Sequence, residues 1–428
     1  MKSIAILLFL TVPFISNAQF GKNLVNKIKN RAEQKAEQRV IKHTDKAMDE
    51  AMDDIEGKGK TAAPSTTKNE PVQQAPATES VTAYSKFDFI PGEKILYAED
   101  FAQEAIGELP LNWNTTGKAA VMTLKEFGGN WLRMYQNSFY LTSNKTVFPK
   151  DFTVEFDLVL QFNYKSYTLP LVTFGLLSSG ELESTDNALM NTPATFHSAH
   201  VQLRPYNNGT TSISFNSYLE RKDFFKSGDQ KLDKLEKYYN KVSHISMQVQ
   251  GSRLRIWIND EKAYDIPKAI DTKYALNQLF FKINNSGYKE DQIGFFVSNI
   301  KIAAGLPDTR HKLIEEGNFS TNGILFDIES AVIKPASYGV IKEIATVLKE
   351  NPSVKIKIVG HTSSDGNDAA NMELSKKRAA SVKDALVTTY GIDAARMTTE
   401  GKGETEPVAD NATKEGKLLN RRVAFIKL

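Results

Sequence analysis

Between Phe87 and Ala304 apolar and polar residues alternate in short runs broken by turn residues. The pattern predicts strands over Thr153–Phe162, Leu169–Leu176, Ala199–Pro205, Ser212–Tyr218, His244–Gln250, Arg253–Asn259, Gln278–Asn284 and Ile293–Ala303. Strands recurring roughly every 10 residues indicate an all-β sandwich of antiparallel strands. Each strand then has one wet face. Alternation along Thr153-Val154-Glu155-Phe156-Asp157-Leu158 puts Glu155 and Asp157 together on such a face. The charged stretch Arg221 to Lys241 reads as an insertion with helical composition. After a connector, Leu306 to Glu316, the period changes. Ile324–Asp327 reads as a strand, Ser337–Glu350 as a helix ended by Asn351-Pro352, and Val354–Val359 as a β-branched strand. A helix follows over Asp368–Tyr390, then strands over Arg396–Gly401 and Arg422–Lys427. This alternation predicts an α+β domain, a small mixed sheet with helices on one face.

The helix from Asp368 carries Leu374, Arg378, Val382 and Leu386 at four-residue intervals, with Asn371 in line. An arginine in an apolar stripe is unusual, because guanidinium groups are rarely buried without a partner. Its planar fork suits a carboxylate. Arg378 is therefore aimed at an anion, of the protein or of a ligand. Arg421, counted by twos with Val423 and Phe425, also faces the apolar side.

Several separated motifs surround this helix: Leu325-Phe326-Asp327 with Pro335; Gly360-His361-Thr362; Asn371-x-x-Leu374-Ser375-x-x-Arg378-Ala379; Gly401-x-Gly403 with Pro407; and Asn411, Gly416 and Asn420-Arg421-Arg422-Val423. In this order they resemble the OmpA-like peptidoglycan-binding domain, over Asn322 to Leu428. The resemblance implies a pocket for the peptidoglycan stem peptide, gripped at a zwitterionic diaminopimelate. Arg378 matches the position that takes the carboxylate. The family's aspartate, which takes the ammonium, is Ser363 in this chain. A neutral contact there is weaker by roughly 1–2 kcal/mol, unless Asp365 in the same turn substitutes. Thr362, Asn371 and Arg421 match pocket-lining positions, and Asp327 is nearby in the pattern. The alternative is that Arg378 and Arg421 pair with Asp327 or Asp365 and hold loops together. The middle region looks like concanavalin/laminin-G-type jelly rolls, on pattern alone. That likeness suggests a glycan or protein ligand without fixing one.

The termini and composition narrow the setting. Lys2, the apolar run Ile4 to Ile15 and Ser16-Asn17-Ala18 read as a signal peptide (1–18) cleaved before Gln19. Residues 19–56 form a charged helix with an alanine-heavy strip, either a peripheral membrane contact or a solvated spacer. Residues 57–85, rich in Thr, Ala, Pro and Ser, form a disordered linker. The sandwich then spans 86–305 and the C-terminal domain 306–428. A formal charge of +3 over 428 residues gives no field for nucleic acid. With no cysteine, disulfides, thiolate metal sites and a cysteine nucleophile are excluded.

Catalytic readings are weaker. His361 has no visible nucleophile or acid beside it, so a structural role fits. His197 and His200 lack a third ligand and read as a solvent-facing pair, not a zinc site. Glu155 and Asp157 lack the further carboxylate that some glycosidases of this fold carry. Asp186, Asp260 and Asp291 are loop oxygens that leave a calcium-stabilised sandwich open, though they form no dense acidic loop. Trp113, Trp131 and Trp257 read as core residues rather than sugar platforms. The expectation is a non-enzymatic, exported envelope protein without cofactor or metal. It docks on peptidoglycan in the periplasm, at the cell wall and outer membrane, or serves as a scaffold or adhesion protein whose C-terminal domain no longer binds diaminopimelate.

Overall fold

A computed structural model describes residues 87–428 apart from 145, 164 and 166. The expected leader (1–18), charged helix (19–56) and linker (57–85) lie outside the described residues. Residues from Phe87 to Ala304 build two antiparallel sheets. In spatial order one sheet runs Glu261–Ile266, Arg253–Ile258, Val242–Gln250, Asp151–Phe162, Ile293–Ala304, Phe127–Met134 and Ala119–Leu124, with Lys94–Glu99 also paired to Ile293–Ala304. The other runs Lys222–Lys226, Ser212–Leu219, Ser198–Arg204, Val172–Leu177, Gln278–Ile283, Ser138–Leu141 and Asn114–Thr115, with Gln230–Lys231 beside Ser212–Leu219. The sheets share one apolar core. Phe156 of the first meets Phe174 and Phe281 of the second edge-to-face, with centroids 5.3 and 5.2 Å apart.

All eight strands expected here are present, but six-residue runs such as Lys94–Glu99 and Ala119–Leu124 are not distinct in the sequence pattern. The stretch expected as a helical insertion, Arg221 to Lys241, instead forms the edge strand Lys222–Lys226, the short strand Gln230–Lys231 and a 3-10 turn over Asp233–Tyr238. Its charged residues sit on an exposed edge, where charge discourages edge-to-edge pairing.

The C-terminal domain is a four-stranded mixed sheet in the order Asn318–Thr321, Val423–Lys427, Ile356–Gly360, Met397–Gly401. Only the last pair is parallel. Helices α1 (Tyr338–Glu350) and α2 (Asp368–Thr388) contribute to its core, and α3 (Lys414–Asn420) precedes the last strand. The first strand is not Ile324–Asp327, which contributes only a bridge from Phe326 to Ile333, but Asn318–Thr321.

The stripe that α2 buries is Asn371, Ser375, Ala379, Val382 and Leu386, displaced by one residue from the expected Leu374 and Arg378. The displacement follows from close packing. A Cβ on Gly360 would lie 2.2 Å from the Ser375 carbonyl oxygen, and one on Gly401 would lie 2.4 Å from the Lys376 nitrogen. Small residues on both sides let helix and sheet approach, and the larger side chains of Leu374 and Arg378 turn to the flank.

Around Glu155 and Asp157 the outer face of the first sheet is not wet. Both side chains are buried there. His244 Nδ1 lies 2.7 Å from Asp157 Oδ1, Lys301 Nζ 2.5 Å from Glu155 Oε2, and Lys334 of the C-terminal domain 3.4 Å from Asp157 Oδ2. Trp257 is buried on the same sheet by Phe87, Phe89 and Ala336. A Cβ on Gly339 would lie 2.1 Å from the Phe89 carbonyl oxygen, so the start of α1 rests directly on this segment.

Candidate functional site

Helix α2 begins at the cap Asn367, whose side chain accepts from the amides of Ala369 and Ala370. It presents Arg378 beside the loop that follows Leu325-Phe326-Asp327. The guanidinium Nε donates to the Ser330 carbonyl at 2.9 Å, and Nη2 reaches the Asp327 carbonyl at 3.5 Å. The same group lies over the Phe326 ring at 4.9 Å. Among the described residues, no carboxylate is within ion-pair distance of it. Burial, together with the charge of Arg421, pushes its pKa down to about 10. A half-buried cation held by carbonyls and a ring face keeps its capacity for an external anion.

Arg421 is not on the last strand, which begins at Val423. It follows α3 as its C-terminal cap, so period-two counting does not place it. Its Nη2 lies 3.6 Å from Asp100 Oδ2 and its Nη1 3.7 Å from Asp365 Oδ2. Asp365 takes a 2.6 Å bond from Lys417 Nζ and a 3.0 Å bond from Ser363 Oγ. Burial raises its pKa, but these bonds and Arg421 outweigh burial and hold it below the ordinary carboxylate range.

Ser363 is buried, and its hydroxyl orients Asp365. Asn371 spends its amide on the turn, donating to the Asp365 carbonyl at 3.0 Å, the Ser363 carbonyl at 3.4 Å and Glu404 Oε2 at 2.7 Å. Thr362 is anchored by its amide to the Gly403 carbonyl at 2.8 Å, while its buried hydroxyl has no hydrogen-bond partner among the described residues. The Asp327 side chain is exposed, and only its carbonyl approaches Arg378.

The structure thus brings Arg378, Arg421, Ser363, Asp365 and Asn371 together, with Asp327 present through its backbone alone. Sequence reasoning missed Lys417, Glu404, Ser330 and Asp100. Lys417 stands four residues before Arg421, a spacing that would have set both cations on one helix face, toward a shared acid, had α3 been recognised. Nothing in the sequence could place Asp100, which belongs to the other sheet system.

The histidines differ from expectation in part. His197 and His200 are buried rather than solvent-facing, and burial pulls the His200 pKa down to about 4. His361 is buried beside Arg422 and its pKa falls to about 4, leaving a neutral ring at neutral pH. Among the described residues no group of three or more His, Cys, Asp or Glu side chains could hold a metal, and no helix is long and apolar enough to cross a membrane.

Residues 325–421 match the model of the OmpA family, and the C-terminal domain is OmpA-like. The chain is 46% identical over 100 residues to outer membrane porin F of Pseudomonas aeruginosa, covering 23% of this chain and 29% of that protein. It is 37% identical over 110 residues to the peptidoglycan-binding protein ArfA of Mycobacterium bovis, covering 26% of this chain and 33% of that one. The chain therefore spans about a third of the length of these curated relatives. Among solved structures, it is similar to the peptidoglycan-associated lipoprotein of Burkholderia pseudomallei, with 28% identity, a TM-score of 0.23, and coverage of 26% of this chain and 89% of that one.

Proposed function

We propose that this chain, through its OmpA-like C-terminal domain, docks non-covalently on peptidoglycan as a non-catalytic envelope protein. It is exported to the periplasm and associates with the cell wall and outer membrane. The observation that carries the reading is Arg378, a partly buried guanidinium with neighbouring Arg421 and, among the described residues, no carboxylate within ion-pair distance. The names of the relatives, an outer membrane porin and a peptidoglycan-binding protein, support it. The ligand is the stem peptide, with the carboxylate of diaminopimelate on Arg378. In this reading Ser363, Asn371 and Thr362 shape the turn, and Asp327 contributes its carbonyl. The two-sheet unit is a jelly-roll recognition module for a glycan or protein. Burial of Glu155 and Asp157 against Lys301 and His244 speaks against their use in hydrolysis.

Retention of the full chain on purified sacculi tests this. Arg378→Ala should lower retention at least about tenfold, the scale of a lost charge-assisted contact. Equal retention of the variant would overturn the reading. One observation favours the second reading, an envelope scaffold that no longer binds diaminopimelate: Asp365 is already engaged by Lys417 and Arg421. Equal retention would move the weight to that scaffold.

A further inference from the structure

An α-amino acid end carries its carboxylate and ammonium on one carbon, so recognising it needs a cation and an anion side by side. The C-terminal domain supplies the cation. The acids beside it in that domain are already engaged: Asp365 Oδ1 accepts from Lys417 at 2.6 Å and Oδ2 from Ser363 at 3.0 Å, and Glu404 Oε2 accepts from Asn371 at 2.7 Å, while Ser363 is neutral. The remaining acid at Arg421 comes from the two-sheet unit. We propose that this unit completes the peptide site, with Asp100 as the specificity-determining residue that meets the ammonium of a zwitterionic stem residue whose carboxylate lies on Arg378. The inference rests on the docking reading above and deepens it.

The geometry of the turn supports this. Asp100 follows the strand Lys94–Glu99 directly. Its Oδ1 accepts from the Ala102 amide at 3.1 Å, which fixes the carboxylate, while Oδ2 faces Arg421 at 3.6 Å. That separation is longer than a hydrogen bond, so Oδ2 keeps acceptor capacity for a second donor. The turn is rigid. Phe101, at φ 58, is fully buried against Trp113, and its amide donates to Glu99 Oε1 at 2.8 Å. It is also tied to the helix that ends in Arg421. Lys414 Nζ bonds Glu99 Oε2 at 2.8 Å and Glu104 Oε1 at 2.7 Å, and Gln103 Nε2 donates to the Ala412 carbonyl at 3.1 Å.

The other wall of the site is touched as well. Ile328 lies in the loop whose carbonyls clamp Arg378, and it packs so closely on the two-sheet unit that a Cβ on Gly128 would come within 2.7 Å of its Cδ1. The two-sheet unit therefore contacts both the element that holds Arg378 and the element that holds Arg421.

The test uses the full chain and two synthetic stem tripeptides in calorimetric titration. One ends in meso-diaminopimelate; the other ends in 2-aminopimelate, which keeps the carboxylates and lacks the side-chain ammonium. Asp100→Asn should weaken the diaminopimelate peptide about tenfold and leave the aminopimelate peptide unchanged. Arg378→Ala should weaken both. The carboxamide oxygen introduced by Asp100→Asn can still accept from the Ala102 amide, so the turn is kept. Equal weakening of both peptides by Asp100→Asn would show a purely structural role and overturn the inference. Unchanged binding of both, tighter binding of both, or loss of ammonium discrimination only in Asp365→Asn would overturn it too, while leaving wall docking intact. Failure of the unmodified chain to bind either peptide would remove the docking reading and this inference with it.

Discussion

At the scale of the residue, Arg378 differs from an ordinary surface cation because its partners are oriented dipoles and a ring, not a carboxylate. The fork shape matters as much as the charge. Lysine at this position keeps a cation but cannot hold the Ser330 carbonyl, stack on Phe326 and present a paired donor edge together. Arg378→Lys should therefore lower retention on sacculi by about five- to tenfold, less than Arg378→Ala, with only a small fall in thermal midpoint from the lost Ser330 and Phe326 contacts. Retention equal to that of the unmodified chain would show that charge alone suffices. That an arginine stands at this position and that its fork suits a carboxylate were legible from residue type. Its freedom from Asp327 and Asp365 was not, because only the folded loops decide which carboxylates reach it.

At the scale of the element, the seating of α2 depends on glycine opposite small residues. The buried stripe passes through Ser375 and Ala379 because Gly360 and Gly401 leave room only for a close approach. Gly360→Ala puts a methyl group against the Ser375 carbonyl, at the end of a central strand, where neither backbone can retreat. The expected cost is about 2–3 kcal/mol, read as a fall in the midpoint of urea unfolding. A change under about 0.5 kcal/mol would mean that the helix can shift outward at little cost. Helix and strand periods located α1, α2 and the strands at Ile356, Met397 and Val423 to within a few residues. They misplaced the first strand of this domain, since Ile324–Asp327 has strand composition but no partner beyond the bridge at Ile333.

At the scale of the whole molecule, the two sheets and the C-terminal domain are joined by a charged layer that a soluble strand face would not contain. Burial alone would pull the His244 pKa down, but hydrogen bonds and charges from Asp157 and Glu155 push it up to about 9. A raised pKa contributes stability that is complete below about pH 6.5 and is lost as pH rises through about 9. Burial likewise raises Asp157 and Glu155. For Asp157 the His244 bond and the Lys334 charge outweigh burial, and for Glu155 the Lys301 charge and the His244 bond do so. Both carboxyl groups are held below their ordinary range, so their contribution is present above roughly pH 4–5 and is lost as pH falls. The thermal midpoint should thus be highest between about pH 5 and 7 and decline on both sides. His244→Gln should flatten the alkaline decline and cost about 3–5 kcal/mol at neutral pH, because it leaves buried carboxylates uncompensated. An unchanged alkaline limb in that variant would show that His244 does not carry the charge. The amino-acid sequence by itself determined the repeating strands, the order of motifs in the last quarter of the chain and the presence of an arginine on the long helix of that domain, since these follow from local period and residue chemistry. Only the tertiary structure decided that Glu155 and Asp157 are covered, that Arg421 lies at a helix end, and that Asp100 stands beside it. Those facts depend on which distant surfaces meet, and local pattern carries no information about that.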